Sequence, residues 1–591
     1  MKNKIRTRIN ALLISLSFII CHLSFSVALV SCSDYADYNE VPVDATAAGN
    51  QTLWENISQN PLLSDFAALV KRSGFDADLD NSHVYTVWAP VNGSFNPSDY
   101  ASLTDEQLLF RFVKNHVAEY SHSASGQVEE RVHTLNEKSY TFKGNSNYTF
   151  DGYDITQPNL PNINGLLHIT NGVAQFYPNI YEFVEQAEGI DSLSKYFMSY
   201  ETSTLDRNAS VKGPVVGGEQ TYIDSVIVTT NSILGRDRLN AKLDNEDSTY
   251  TFLMPTNDAF MEMYNKIKPL HNYVNEMKVL DVANFTKAGD SKEKTARTNA
   301  TYLQDSLTRK IIVDNLVFSN NDGYNTWLTG NPTYLGTDTL RNTKGEKYSN
   351  PQELLAPTVS DNVMSNGHAR IVDSLAFISW ELYAPQISAS PRNNLVGDLS
   401  VMSGNKQTIH VIDESSSVFG EESGITDFRF TEIYPKTESG KASAYIELPN
   451  VLSTTYRFYV VYLPWYCGTN DQRPTPLNFE LSYSTARGAT DSYKFSSKYL
   501  ESGKASDANP KTLNLTTAFV NDPMKTDTVY IGEFTFPVAY QGLGSEYRPT
   551  IMLTSPVSTL NKTQMATYSR YYKILAILLK PVEFDEYEKS K

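Results

Sequence analysis

The chain has 591 residues, 40% of them hydrophobic and 20% charged, with a mean hydropathy of -0.36. These values exclude a polytopic membrane protein and, at about 150 residues per domain, predict three or four domains. The 50 Lys and Arg against 67 Asp and Glu leave a formal charge of -17, which argues against nucleic acid or anionic lipid held by bulk electrostatics. With three cysteines a disulfide scaffold is excluded.

At the N-terminus, Lys2, Lys4, Arg6 and Arg8 form a positive segment, and residues 11–30 are apolar apart from scattered Ser, Cys21 and His22. This is the pattern of an export signal; a stretch of this length could also span a bilayer as an uncleaved anchor. It closes on Leu29-Val30-Ser31-Cys32, which resembles the lipobox of bacterial lipoproteins. The resemblance implies that residues 1–31 are a signal peptide and that Cys32 is the lipid attachment residue. Removing residues 1–31 would leave a charge of about -21, so the lipid and not basic residues would hold the membrane. Residues 32–50 read as a flexible tether. Their acids, Asp34, Asp37 and Glu40, resemble the surface-export signal of Bacteroidota lipoproteins, which implies a cell-surface position on the outer membrane.

Two helices are predicted next: Leu53, Trp54 and Ile57, then Leu62, Phe66, Leu69 and Val70, recur at helical spacing, with Ser64 as a cap and Gly74 as a stop. The run Tyr85-Thr86-Val87-Trp88-Ala89-Pro90-Val91-Asn92-Gly93-Ser94-Phe95 predicts a strand entering a Pro-Asn turn, the Asn capping its own turn and the aromatic buried beneath it. A helical stretch through Leu108 and Phe112 leads to Asn115-His116, and Asn164-Gly165-Leu166-Leu167-His168-Ile169-Thr170 closes the block.

The order repeats. Ile180, Phe183, Val184, Ile190, Leu193 and Phe197 replay the helices, Tyr250 to Phe260 the strand-turn, Asn315-Leu316 the helix end, and Ser365-Asn366-Gly367-His368-Ala369-Arg370-Ile371 the closing segment. These blocks resemble the fasciclin (FAS1) family. The resemblance implies two FAS1-like α+β modules, at 51–178 and 179–385, serving adhesion or protein interaction without catalytic residues. Polar insertions near 202–247 and 270–308 are expected as surface recognition loops. His116, His168 and His368 are expected to satisfy buried backbone groups.

From residue 386 to 591 helical spacing stops. Six short β-rich runs separated by Gly, Ser, Asn and Pro predict an all-β, sandwich-like domain, giving a multidomain α+β chain overall. Its densest aromatic cluster is Tyr459, Tyr462, Trp465 and Tyr466, taken as candidate ligand-binding residues able to stack on sugar faces; core packing is the competing reading. Cys467 is expected to be a buried structural thiol. Glu438-Ser439-Gly440-Lys441-Ala442-Ser443 recurs at 501–506 but lacks the upstream Gly of a phosphate loop.

No metal, dinucleotide or nucleophile-elbow motif is present, so neither a cofactor nor a catalytic or metal site is expected. Asp76-Ala77-Asp78-Leu79-Asp80-Asn81 opens like a calcium loop but carries Asn81 where Gly is required. The expected function is a surface binding protein. Lipoproteins of this make-up resemble accessory subunits of SusC/SusD-type nutrient uptake systems, which implies a TonB-dependent transporter and a SusD-like lipoprotein as partners and a glycan or peptide as ligand. An adhesin for host matrix or glycans is the alternative.

Overall fold

The computed structural model describes residues 49–329, 339–402, 404–411, 429–437, 440–501 and 510–591. Cys32, the signal peptide and nearly all of the tether lie outside them, as does most of the repeated Glu-Ser-Gly-Lys loop. The chain divides into two compact units. The first runs to Tyr181 and includes Asp244–Asp247 and Val363–Asn366; the second holds the remainder.

In the first unit, helices Leu53–Gln59 and Ser64–Ser73 form where the apolar spacing predicts them. Thr52 and Glu55 add a reciprocal capping box at the first. Seven strands follow: β1 (Tyr85–Pro90), β2 (Val117–Glu119), β3 (Val128–His133), β4 (Ser139–Gly144), β5 (Tyr148–Phe150), β6 (Tyr153–Asn162) and β7 (Gly165–Thr170), in the order β2-β1-β7-β6-β5-β4-β3. β1 runs parallel to β7 and antiparallel to β2. All six residues of β1 are buried, because both faces of the sheet are covered there. Val87 and Ala89 face the helices with Phe66, Val70 and Phe112. Trp88 faces the other way, stacked on Phe150 at 4.3 Å and 9°.

Asn92 departs from expectation. It does not cap its own turn: its Oδ1 accepts the Asp65 N–H at 3.0 Å, and its Nδ2 donates to Pro61 O and Ser64 Oγ, each at 2.9 Å. It is thus a remote cap on a helix whose own N-cap, Leu63, has no capping side chain. The helical stretch before Asn115 is also broken, into an α turn at Asp105–Leu108, a π turn at Leu109–Val113 and a 3-10 turn at Lys114–His116.

Buried polar side chains close the module. Asn164 Oδ1 accepts the Leu53 N–H at 2.8 Å, while its Nδ2 donates to Leu79 O and Asn81 O. The acidic run at 76–81 is thereby a short helix, Asp76–Leu79, and a tether point. Asn115 Oδ1 accepts from Asn136 Nδ2 and from the Tyr140 hydroxyl. His116 donates from Nδ1 to Phe112 O at 2.7 Å and accepts the Ala174 N–H at Nε2. His168 donates to His122 O and accepts the Asn159 N–H.

Burial lowers His116 and His168 to about 4, against the raising effect of the carbonyls they bond. With folded pKa values below the unfolded value near 6.5, the unfolded chain binds more protons as pH falls between them. The stability is fully present above about pH 6.5 and is lost toward pH 4. Lowering the pH from 7 to 5.5 should therefore destabilise this module by about 1 kcal/mol for each histidine. Urea midpoints of wild type and a His116→Gln variant across that range check it: equal pH slopes would contradict the assignment.

In the second unit, β12 (Tyr250–Pro255) lies between β15 (Val317–Ser319), antiparallel, and β19 (Gly367–Val372), parallel, with β18 (Thr358–Met364) outside. Tyr250 faces Gly367 as Tyr85 faces Gly165. Asn257 repeats the remote cap, accepting the Ser192 N–H at 2.8 Å. Asn315 accepts from Asn342 and the Tyr348 hydroxyl, as Asn115 does from Asn136 and Tyr140. Leu316, fully buried, fills the place of His116. His368 corrects the expectation: it is part-exposed and pairs with Asp361 Oδ1 at 2.9 Å instead of a buried backbone group.

The two insertions behave differently. Near 202–247 the chain forms two two-stranded ribbons, β8 (Glu201–Leu205) with β11 (Ile227–Asn231), and β9 (Val211–Val216) with β10 (Glu219–Asp224). The insertion near 270–308 is not a free recognition loop. Its hairpin, β13 (Glu276–Leu280) with β14 (Glu293–Arg297), bonds to the C-terminal domain: Lys278 N–H donates to Gly488 O at 2.8 Å and Tyr273 OH to Gln541 O at 2.6 Å. Phe285 meets Tyr445 edge-on at 5.8 Å. One short pair completes the module, β16 (Leu340–Arg341) with β17 (Lys347–Tyr348).

Among the described residues, the C-terminal domain has two antiparallel six-stranded sheets. One holds strands Asn405–Val411, Arg429–Pro435, Tyr572–Pro581, Thr455–Tyr462 and Asp527–Thr535, with Ile387–Ala389 paired to Tyr572–Pro581. The other centres on Pro476–Ser484 and Thr550–Thr554. Each of the six predicted runs overlaps a strand, the first as far as Val411, beyond which Ile412 lies outside the described residues. Helix Val582–Ser590 follows Pro581.

Candidate functional site

The aromatic cluster divides. Tyr459 and Tyr462 lie on strand Thr455–Tyr462, which is buried almost throughout. Tyr459 donates to Asp585 Oδ1 at 2.7 Å and accepts from Lys589 Nζ at 2.9 Å, both on the C-terminal helix that covers it. Tyr462 is 1% exposed, and burial pushes its phenol well above the ordinary range. Neither can stack on a ligand. An alternating strand usually leaves one face to solvent, but this one is covered by the partner sheet on one side and the helix on the other.

Trp465 and Tyr466 lie on the loop beyond the strand. Trp465 is half-buried and Tyr466 is 43% exposed. Their rings are 5.7 Å apart and nearly perpendicular at 86°. They form an edge-to-face pair, not a flat platform, and Tyr466 supplies most of the accessible ring. Beside Trp465, Asp471 and Arg473 close a crevice of only about 10 Å³, room for one water and no sugar ring. Arg473 is fixed there by Asp471, through Nε at 2.8 Å and Nη2 at 2.7 Å.

The loop is held from below by charge. Glu432, buried on strand Arg429–Pro435, accepts the Thr469 N–H at 3.2 Å and the Thr469 hydroxyl at 3.1 Å, with His410 Nε2 at 3.0 Å. Lys573 stands opposite Glu432 in register and donates to Trp465 O at 2.9 Å and to Thr469 O. Burial lowers the Lys573 pKa, and Glu432, Cys467 and Asp471 act against that shift. Gly468 has φ +68, and a Cβ there would lie 3.1 Å from Glu432 Oε2. Cys467 is buried, and burial pushes its thiol up to about 11, so it stays protonated and unreactive near neutral pH.

Sequence reading missed Glu432, His410, Thr469 and Lys573. The one local signal was a carboxylate inside an apolar strand, Glu432 between Phe430 and Ile433. Its partners come together only through strand register.

Residues 61–175 match the fasciclin domain family. That segment is similar to a fasciclin domain. Such domains are typical of adhesion and binding proteins. No curated protein matches the chain. Among solved structures, the FAS1 domain pair of the insect cell adhesion molecule Fasciclin I is 11% identical, with 55% of this chain and 99% of that chain covered and a TM-score of 0.19. The C-terminal family 22 carbohydrate binding module of Clostridium thermocellum Xyn10B is 12% identical, covering 30% of this chain and 87% of that one, with a TM-score of 0.16. Likenesses this low carry no argument about function, and the site is read from its own geometry.

Proposed function

We propose that the protein is a non-catalytic, lipid-anchored binding protein of the outer-membrane surface, an accessory subunit of a SusC/SusD-type uptake system that contacts its partner through the β8–β11 ribbons. The lipobox-like Leu29-Val30-Ser31-Cys32 and the acidic residues after it support the address. The ribbons carry the functional reading. Val215 is 64% exposed and Ile223 76%, and Val211, Val216, Ile227 and Val228 are exposed with them. Among the described residues, each ribbon strand has a single paired neighbour. An isolated two-stranded ribbon is marginal in water and gains nothing from exposed valine and isoleucine unless a partner covers them. The free strand edges add a backbone surface on which another protein can align.

The test is affinity recovery of the tagged chain from gently solubilised outer membranes, with and without residues 203–229. Glu201 pairs with Asn231 across the ribbon base, so a short Gly-Ser link can close the excision. The intact chain should bring down a transporter and its lid lipoprotein, and the excised chain should lose both while keeping its melting profile. Recovery of the intact chain alone would turn the reading to a free-standing adhesin. Equal recovery by both forms would remove the ribbons from the contact.

A further inference from the structure

The second fasciclin-like module carries a cleft of about 650 Å³ where the end of β15 and the β16–β17 turn meet, a size typical of ligand sites. Apart from Tyr250, every lining side chain is polar or the residue is glycine. Arg341 is set in place on this wall. Its Nε donates to Asp322 Oδ2 at 2.7 Å and its Nη2 to Asp322 Oδ1 at 2.8 Å, and its guanidinium lies 4.1 Å from the centre of the Tyr324 ring. Asp322 also accepts the Tyr324 N–H at 3.0 Å, so its oxygens are committed and its charge is matched. Arg341 Nη1 bonds no described residue and keeps both of its N–H donors.

The neighbouring turn adds charge. Asn342 Oδ1 accepts the N–H groups of Lys344 and Glu346 and shapes the turn that carries Lys344 into the wall. The nearest carboxylate to Lys344 is Asp314, 4.0 Å away. Asp314 is buried and already holds Arg238 at 2.9 Å and a close contact from Lys310. One carboxylate thus faces three cations, and Lys344 supplies charge that the fold does not use. In a chain of formal charge -17 this is a local reversal of sign. Ser319 and the Asn321 amide nitrogen line the same cleft with donors that bond no described residue. The Tyr250 hydroxyl accepts the Lys242 N–H at 3.3 Å and keeps its own proton.

We propose that this cleft binds an acidic saccharide, Arg341 and Lys344 taking a carboxylate or sulfate and Ser319, Asn321 and Tyr250 taking ring hydroxyls. The anion follows from the unused Nη1 donors of Arg341 and from Lys344, whose one nearby carboxylate, Asp314, is already shared with Arg238 and Lys310. A sugar is favoured over an acidic peptide because the walls offer hydroxyl-matching groups and, among the described residues, no apolar subsite for peptide side chains. The site is separate from the ribbons and stands whether or not the partner reading holds.

The test is calorimetric titration of the full chain in detergent with a galacturonate oligosaccharide, a sulfated galactose oligosaccharide, the neutral galactose oligosaccharide and an oligoglutamate of equal charge. At least one acidic sugar should bind about tenfold more tightly than the neutral one, and added salt should weaken it. Which acidic sugar binds distinguishes carboxylate from sulfate. Arg341→Gln should weaken binding about tenfold and the exposed-side variant Lys344→Gln about threefold, with Tyr466→Ala unchanged. Should Arg341→Gln fail to fold, Lys344→Gln and the neutral sugar decide. Absence of binding by either acidic sugar, equal binding of the neutral sugar, equal or tighter binding of oligoglutamate, or a folded Lys344→Gln with unchanged affinity would each overturn the proposal.

Discussion

Gly165→Ala should unfold the first fasciclin-like sheet, with a loss of more than about 4 kcal/mol. Gly165 has φ +144, and a Cβ on it would lie 1.8 Å from the Tyr85 carbonyl oxygen. The obstruction is backbone in the parallel β1–β7 pair, and no rotamer change can relieve it. Moving β7 away would also break the Asn164 tether that joins the strand to Leu53 and Asn81. Gly74→Ala is the control. It shares a positive φ, +78, at a helix C-terminus, but nothing lies within 4 Å of its Cβ, so it should lose only about 1 kcal/mol. Hydrogen exchange followed by mass spectrometry on peptides spanning β3 to β7 separates the two. Native protection in Gly165→Ala would show that the register is softer than the geometry requires. Gly367, at φ +135 with Tyr250 O 1.9 Å from its Cβ, should reproduce the effect in the second unit.

Glu432→Gln should destabilise the C-terminal domain by about 2 kcal/mol, because it removes the buried charge that accepts from Thr469 and His410 and that stands across the strand pair from buried Lys573. Glutamine keeps the shape and can still accept from Thr469, so the loss reports charge and not volume. Without the charge, the 463–475 loop should exchange its amides faster, since Lys573 bonds the carbonyls of Trp465 and Thr469. The double variant Glu432→Gln with Lys573→Met should recover part of the loss, the mark of a coupled pair. If the urea midpoint and the exchange of 463–475 are both unchanged in Glu432→Gln, the anchoring role is wrong.

Much of the architecture was legible from short-range pattern. Phe66, Leu69 and Val70 mark a helix because they share one face at 3.6-residue spacing, and the six β-rich runs beyond residue 386 mark strands because their length and turns suit little else. The internal repeat was legible because closely similar blocks meet the same geometric demands twice. Gly165 and Gly367 stand where the parallel strand passes a carbonyl, and Asn164 and Asn366 stand where a helix start needs an acceptor, Asn366 Oδ1 taking the Ile180 N–H at 2.9 Å.

Where reading failed, the deciding partner lay on another element. Asn92 was expected to serve its own turn, yet its acceptor fills an orphan N–H 27 residues away. His368 shares its place in the closing segment with His168 but meets Asp361 and not a buried carbonyl. The 270–308 insertion looked like a free loop because its polar residues match solvent as readily as they match the backbone of an adjoining sheet.

The sequence by itself determined the opening helices, the β-rich runs and the duplicated blocks, because each depends on periodicity and turn residues within a few positions. Tertiary structure alone decided which aromatics are covered, that Glu432 and Lys573 stand opposite in register, that one insertion is exposed while the other is docked, and that Arg341 and Lys344 share a cleft. These outcomes depend on strand register and on what packs above each face, and neither leaves a local pattern to read.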